Sequence, residues 1–376
     1  MLYLSFAVSL KNYTIPEIVQ PNGPLFHRWL PDGRTDAVSV PTADERDRLV
    51  FWFDRRGYVA ADFIRYDNAR QEVDPEVMKR QGHLDAGPLR GEAQYAHATS
   101  AELEALREDR QGSDEYIALG KRVIDFLYPP LAVFIDLLRC QYGQYWLPEL
   151  QPWDSRTQSI GSFCHSSIFL RWRENEDQGW REFLPTERTG TIRVPRLPGR
   201  GFGEYLTETD WKYLQKTFDP NAGISLALRL LGRAHELGDS GHVAEAFIQL
   251  VTGAELAIEH FLTMRVSGFS KEMASSKQSF STLPLKTRLT VLVTAASLAP
   301  QVTLEKALQA IDLRNEIVHQ GKQPQDPDGT MFLALMQCAK ALLGLKELKT
   351  PVLYPVNELT PPEYEGRQAV VWGDES

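Results

Sequence analysis

Leu304-Glu-Lys-Ala-Leu-Gln-Ala-Ile-Asp-Leu-Arg-Asn-Glu-Ile-Val-His-Gln-Gly321 decides how the second half of this chain is read. Its apolar residues recur at helical spacing, and Gly321 just past the last of them is a helix stop. On a wheel of about 100° per residue counted from Leu304, Leu308, Ile311 and Val318 stay within about 40° of one direction. Asn315 (about 20°) and His319 (about 60°) continue that stripe, with Asp312 at about 80° and Arg314 on the opposite shoulder at about 280°. The expected inward face therefore turns from aliphatic to amide and imidazole in the last two turns, where buried polar groups need hydrogen-bond partners. Ala310, Leu313 and Ile317 form a second apolar stripe on the far side. A helix apolar on two faces is either central in its bundle or shared with a second copy, which motivates a homodimer.

Working outward, the same texture extends from Ile224 to Leu348. Helical spacing runs over Ile224 to Leu237, ending at Gly238, and then over Gly241 to Val266. A third helix covers Leu283 to Leu298 before Pro300, a fourth Val302 to His319, and a fifth Thr330 to Leu348. Five helices with short connections, and one longer loop from about Ser267 to Thr282, describe an all-α bundle.

As residues alone, Asn315 and His319 have an ordinary explanation. They cap the helix end and satisfy buried carbonyls, while Arg314 pairs with Asp312 or Glu316. The string Leu313 to Gly321, however, resembles the Arg-to-His signature of HEPN domains. It is similar to the Apea-like HEPN ribonuclease variant, in which Asn follows Arg and His closely precedes Gly. Ala254-Glu255-Leu-Ala-Ile-Glu259-His-Phe-Leu262 resembles the second helix of that group, and Leu285-Lys-Thr-Arg288-Leu its third. The resemblance covers about a third of the chain.

That resemblance implies a metal-independent endoribonuclease without a cofactor, acting as a homodimer whose two motifs face one another across the subunit boundary. It implies RNA as the substrate, tRNA or mRNA among the candidates. His319 would be the acid/base, Arg314 the phosphate clamp, and Asn315 a polar group orienting either. The chemistry suits the residues. A 2′-hydroxyl attacking its own phosphate needs proton transfer, which a histidine performs near neutral pH, and charge neutralisation, which a guanidinium fork supplies. Glu255 is a weaker RNA-site candidate, for which a bundle salt bridge is the simpler reading. Some HEPN domains are catalytically silent and serve as dimerising or nucleotide- or RNA-binding modules, and that alternative stays open. By analogy such two-part chains belong to phage defence or toxin systems, the first part regulating or targeting the second.

Residues 1–219 read as a mixed domain, so the whole chain is expected to be α+β, with 220–350 the helical bundle and 351–376 a Pro-rich acidic tail. Met1 to Leu10 alternates as a strand does, with no basic residue before it, and is no signal peptide. Leu49 to Tyr66 is expected to be a hairpin turning at Asp54-Arg-Arg-Gly57. Residues 67–113 are polar, with a helix only at Ala98 to Arg107; Asp114 to Trp146 is helical but interrupted at Pro129-Pro130. Strands are expected at Ser162 to Trp172 and Trp180 to Leu184, a short helix at Glu204 to Lys216, and a last strand at Gln368 to Trp372.

The 376 residues carry a net charge of −9, which argues against non-specific coating of nucleic acid. The acid lies outside the bundle: 220–350 balance at +1, against −6 for 1–219 and −4 for the tail. Cys140, Cys164 and Cys338 are too scattered for a disulfide framework or a zinc site. Val123 to Leu138 is too short and too interrupted to span a bilayer, which leaves the cytoplasm as the expected compartment. Arg193, Arg196 and Arg200 on an extended segment could meet a phosphate backbone, although a solvated edge is simpler. Gly199-Arg-Gly-Phe-Gly203 lacks the ending of a P-loop. Cys164-His165-Ser166 on an alternating strand points its neighbours apart. His235, His242 and His260 lack metal-ligand spacing, and no metal is expected.

Overall fold

A computed structural model describes residues 1–8, 33–55, 86–143, 149–166, 168–183, 208–239, 241–266, 280–326 and 328–345. Within these, two compact units separate, one from Met1–Ile135 with Trp146–Ala222, the other from Asp136–Tyr145 with Gly223–Pro351. The first contains a sheet and the second only helices, an α+β chain.

The first unit is built on a six-stranded antiparallel sheet in the order β2-β3-β4-β1-β5-β6. The strands are β1 (Leu2–Val8), β2 (Val38–Val40), β3 (Arg48–Arg55), β4 (Ala86–Tyr95), β5 (Ile168–Arg173) and β6 (Arg181–Glu182). The N-terminal alternation does make a strand, and a central one: Leu2, Leu4 and Phe6 are buried while Tyr3 and Ser5 face the other way, half-open. Helices α1 (Ser100–Arg107), α2 (Asp114–Asp136), α3 (Ile160–Ser166) and α4 (Glu208–Thr217) complete the unit. Phe51 meets Phe134 of α2 at 5.3 Å between ring centroids, and Phe53 meets the fully buried Trp211 of α4 at 6.0 Å. The Trp211 indole N–H donates to the Asp36 carbonyl at 2.9 Å, so the ring is buried without an unmet donor.

Three local expectations are corrected. β4 lies in the stretch read as polar and largely structureless; Pro88 and Gly91 obscure its alternation, yet Gly91 is there because the Phe6 ring occupies the space a Cβ would take. β3 pairs with β2 and β4, and the return strand expected at Tyr58 to Tyr66 lies outside the described residues. Helix α2 runs through Pro129 and Pro130 without ending. Each proline costs about 3 kcal/mol in a helix interior, but Leu127, Leu131, Phe134 and Ile135 are all buried, each stabilising by roughly 1.5–3 kcal/mol. Finally, Ser162 to Ser166 is helical, not extended, so Cys164-His165-Ser166 sits on α3. Ser159 starts that turn, its Oγ accepting from the Ser162 N–H at 3.1 Å.

The second unit contains the five expected helices: α5 (Leu226–Asp239), α6 (Val243–Val266), α7 (Leu285–Ala295), α8 (Gln301–Gln320) and α9 (Thr330–Leu342). Leu231, Leu250, Ile258, Leu289 and Leu335 form its fully buried centre. Helices α5 and α6 approach closely at Gly253, where a Cβ would stand 3.0 Å from Leu231 Cδ2. A π-helical turn, Leu137–Gln141, joins this unit and buries Arg139, whose Nη2 reaches Glu236 of α5 at 2.9 Å. Among the described residues no helix is long and apolar enough to cross a membrane. Arg193, Arg196 and Arg200, the Gly199 to Gly203 turn and the strand expected at Gln368 to Trp372 lie outside the described residues.

Candidate functional site at the end of helix α8

Helix α8 stops at Gly321, whose φ of +63° is the left-handed conformation that glycine adopts without strain. Its N–H returns to the Ile317 carbonyl at 3.1 Å and closes the last turn. Arg314, Asn315 and His319 are therefore carried on a well-terminated helix end.

The face they occupy is not the expected one. The buried residues of α8 are Leu304, Ala307, Ala310, Ile311 and Ile317, which centre near 290° on the wheel, between the two expected stripes. Asn315 and His319 are exposed, and Val318 is 47% exposed. Arg314, placed on the far shoulder by the aliphatic stripe, instead follows the inward direction and is half-buried. The physical reason is the two alanines. Large aliphatics dominate a hydrophobic wheel, but small residues decide where helices approach most closely, and Ala307 and Ala310 are both fully buried. The two apolar stripes are thus flanks of one inward face packed against α6, α7 and α9.

Nor do the expected ion pairs form. The Arg314 Nη1 donates to Asn315 Oδ1 at 3.1 Å, while its buried Nε has no hydrogen-bond partner among the described residues. Asp312 is taken by Lys286 of α7 at 2.7 Å, and Glu316 by Lys322 at 3.2 Å. Two carboxylates that would have neutralised Arg314 are thereby occupied by lysines. The His319 side chain makes no hydrogen bond among the described residues, so the capping role for it is not what the geometry gives.

Glu255 is held in a bundle salt bridge. On α6 it accepts from Arg288 Nη2 at 2.9 Å, and Glu259, one turn on, accepts from Nη1 at 2.8 Å. Ser281 Oγ also reaches Glu259 at 3.5 Å. Arg288 is buried, although both its partners are partly open. Lys286 and Arg288 are two residues apart and so face different neighbours; α7 is tied to α8 by the first and to α6 by the second. The resemblance pointed to a basic third helix, but its division of labour needs the tertiary structure.

His242 and His260 are exposed, and His235 is buried beside Phe332. Among the described residues no group of three or more His, Cys, Asp or Glu side chains is placed to hold a metal ion. Comparison with protein-family models, with curated proteins and with solved structures finds no match to this chain.

Proposed function

We propose that the helical unit is of HEPN type and that the chain is a metal-independent endoribonuclease whose first unit selects or regulates the RNA. The observation that carries this reading is the solvent exposure of His319 and Asn315 beside a half-buried Arg314 that no carboxylate among the described residues neutralises. An acid/base has to reach a substrate proton, and a phosphate clamp has to keep its charge available. A histidine buried in the core would serve neither purpose.

In the proposed step the 2′-oxygen forms a bond to phosphorus and loses its proton to an imidazole. The 5′-oxygen leaves and receives a proton from an imidazolium, and the guanidinium of Arg314 meets the charge on the phosphoryl oxygens. One His319 per chain fits either role. A homodimer that brings two copies together supplies both, which is how the HEPN resemblance enters the proposal.

The test is cleavage of tRNA in EDTA by the full chain and by the Arg314→Ala/His319→Ala variant. The wild type is expected to cut and the variant to lose activity by at least about a hundredfold, with unchanged helical content. Cleavage by the variant at the wild-type level overturns the assignment. A wild type inert on every RNA, with the variant losing its dimer, favours a silent binding module.

A further inference from the structure

The stripe of α8 that carries Asn315 and His319 also carries two carboxylates. On the wheel Asp312 stands at about 80° and Glu316 at about 120°, beside His319 at about 60°. Asp312 and Glu316 are four residues apart and Glu316 is three before His319, so all three are neighbours on one helix face. As bare charges the carboxylates would repel each other and any phosphate brought to the stripe.

Neither is bare. Lys286 of α7 meets both oxygens of Asp312, at 2.9 and 2.7 Å. Lys322 Nζ meets Glu316 Oε2 at 3.2 Å. The left-handed Gly321 turns the chain so that the Lys322 N–H returns to the Glu316 carbonyl at 3.5 Å, which places this lysine beside its partner. All four side chains are partly open to water, and exposed ion pairs of this kind add little to folding stability. Stability alone therefore does not account for two of them bracketing one motif. Other charges of the unit are engaged elsewhere: Arg288 with Glu255 and Glu259, and Asp326 with the Met331 and Phe332 N–H groups.

We propose that Lys286 and Lys322 are positioning residues of the RNA site, which cancel Asp312 and Glu316 so that a phosphodiester can settle against Arg314, Asn315 and His319. With both lysines, the charges of Lys286, Asp312, Arg314, Glu316 and Lys322 sum to +1; without them, two carboxylates outweigh Arg314 and the sum is −1. Lys322 also holds a carboxylate that would otherwise pair with the imidazole one turn on. Neither lysine has to touch the RNA, and each acts through the acid it holds. The inference rests on the ribonuclease reading of this end of α8 and names what keeps that site open to an anion.

The test swaps charges singly and in pairs in the full chain. Binding of labelled tRNA is followed by anisotropy in a His319→Ala background, where cleavage does not intervene, and KM and kcat are measured with His319 present. Lys286→Gln and Lys322→Gln are each expected to raise Kd and KM about threefold to tenfold at low salt, and less at high salt. For Lys286→Gln, kcat should change by less than about twofold. Lys286→Gln/Asp312→Asn and Lys322→Gln/Glu316→Gln should return Kd to within about twofold of the parent, because the pair leaves no net charge behind. Asp312→Asn or Glu316→Gln alone should bind at least as tightly as the parent, whereas a purely structural ion pair would be damaged equally from either side. The inference is overturned if the lysine variants bind like the parent, if the carboxylate variants weaken binding, or if the paired variants fail to recover. That last result would mean that the lysines contact phosphate directly. A wild type that binds tRNA without ever cutting removes the ribonuclease reading and leaves the binding series to decide this one; a chain that does not bind tRNA at low salt removes both.

Discussion

Arg288 of α7 is buried, and its Nη1 donates to Glu259 of α6 at 2.8 Å while Nη2 takes Glu255 at 2.9 Å. The pairing is asymmetric, because the carboxylates keep access to water and the guanidinium does not. Glu255→Ala/Glu259→Ala strands a buried cation and is expected to cost about 3 kcal/mol. Arg288→Met leaves two carboxylates that water can solvate and is expected to cost less. Urea unfolding of the three proteins, with Arg288→Met added to the double variant, checks this; the triple variant should recover most of the loss.

Arg314→Lys keeps the charge at the end of α8 but not the planar fork. If the guanidinium holds two phosphoryl oxygens, kcat on tRNA should fall by about tenfold to a hundredfold. The melting temperature should hardly move, since among the described residues the buried Nε has no partner to lose and the Nη1 bond to Asn315 is solvent-exposed. Equal kcat for Lys and Arg would mean that a point charge suffices.

Gly91→Val would place side-chain atoms where the Phe6 ring lies across the strand pair, a Cβ alone standing 2.7 Å from Cε1 and Cε2. Phe6 is itself buried, so displacing its ring disturbs the packing around it. Overpacking of this kind costs about 1–3 kcal/mol or more. Thermal unfolding followed by circular dichroism should show the loss, and Phe6→Leu/Gly91→Val should relieve part of it.

Glu102 closes a capping box at the start of α1. Its Oε2 accepts from the Thr99 N–H at 2.8 Å, and Arg122 Nη2 reaches both of its oxygens at 2.6 Å. Burial pushes the carboxyl up, but the Thr99 N–H and the Arg122 guanidinium outweigh it and hold the pKa below its usual value. A depressed folded-state value contributes stability above the ordinary carboxyl range and loses it as pH falls through the folded value. Glu102→Gln should therefore be less stable than wild type by about 1–3 kcal/mol near neutrality, and the gap should close in acid below the ordinary carboxyl range. A difference that stays constant from pH 7 to pH 3 would contradict this.

Much of the helical unit is legible in the chain itself. Helix positions follow from apolar spacing and from stops such as Gly321 and Pro300, which act locally and need no partner. The alternation of β1 is legible for the same reason. β4 is not, because Gly91 makes sense only once Phe6 of another strand lies over it. Pro129 and Pro130 likewise read as a break until the burial of α2 is counted.

The sequence by itself determined the order of helices, the end of α8 and the residues Arg314, Asn315 and His319 that it carries, since these depend on local backbone preferences and on composition. Only the tertiary structure decided which way they face. Ala307 and Ala310 set the close approach of α8, turning Asn315 and His319 to solvent and Arg314 half inward, while Lys286 and Lys322 drew Asp312 and Glu316 away from it. The stacking of Arg173 over the Tyr3 ring also belongs to the fold alone. Tyr3 and Arg173 stand far apart in the chain and become neighbours only through strand pairing, a non-local contact that no pattern within either strand encodes.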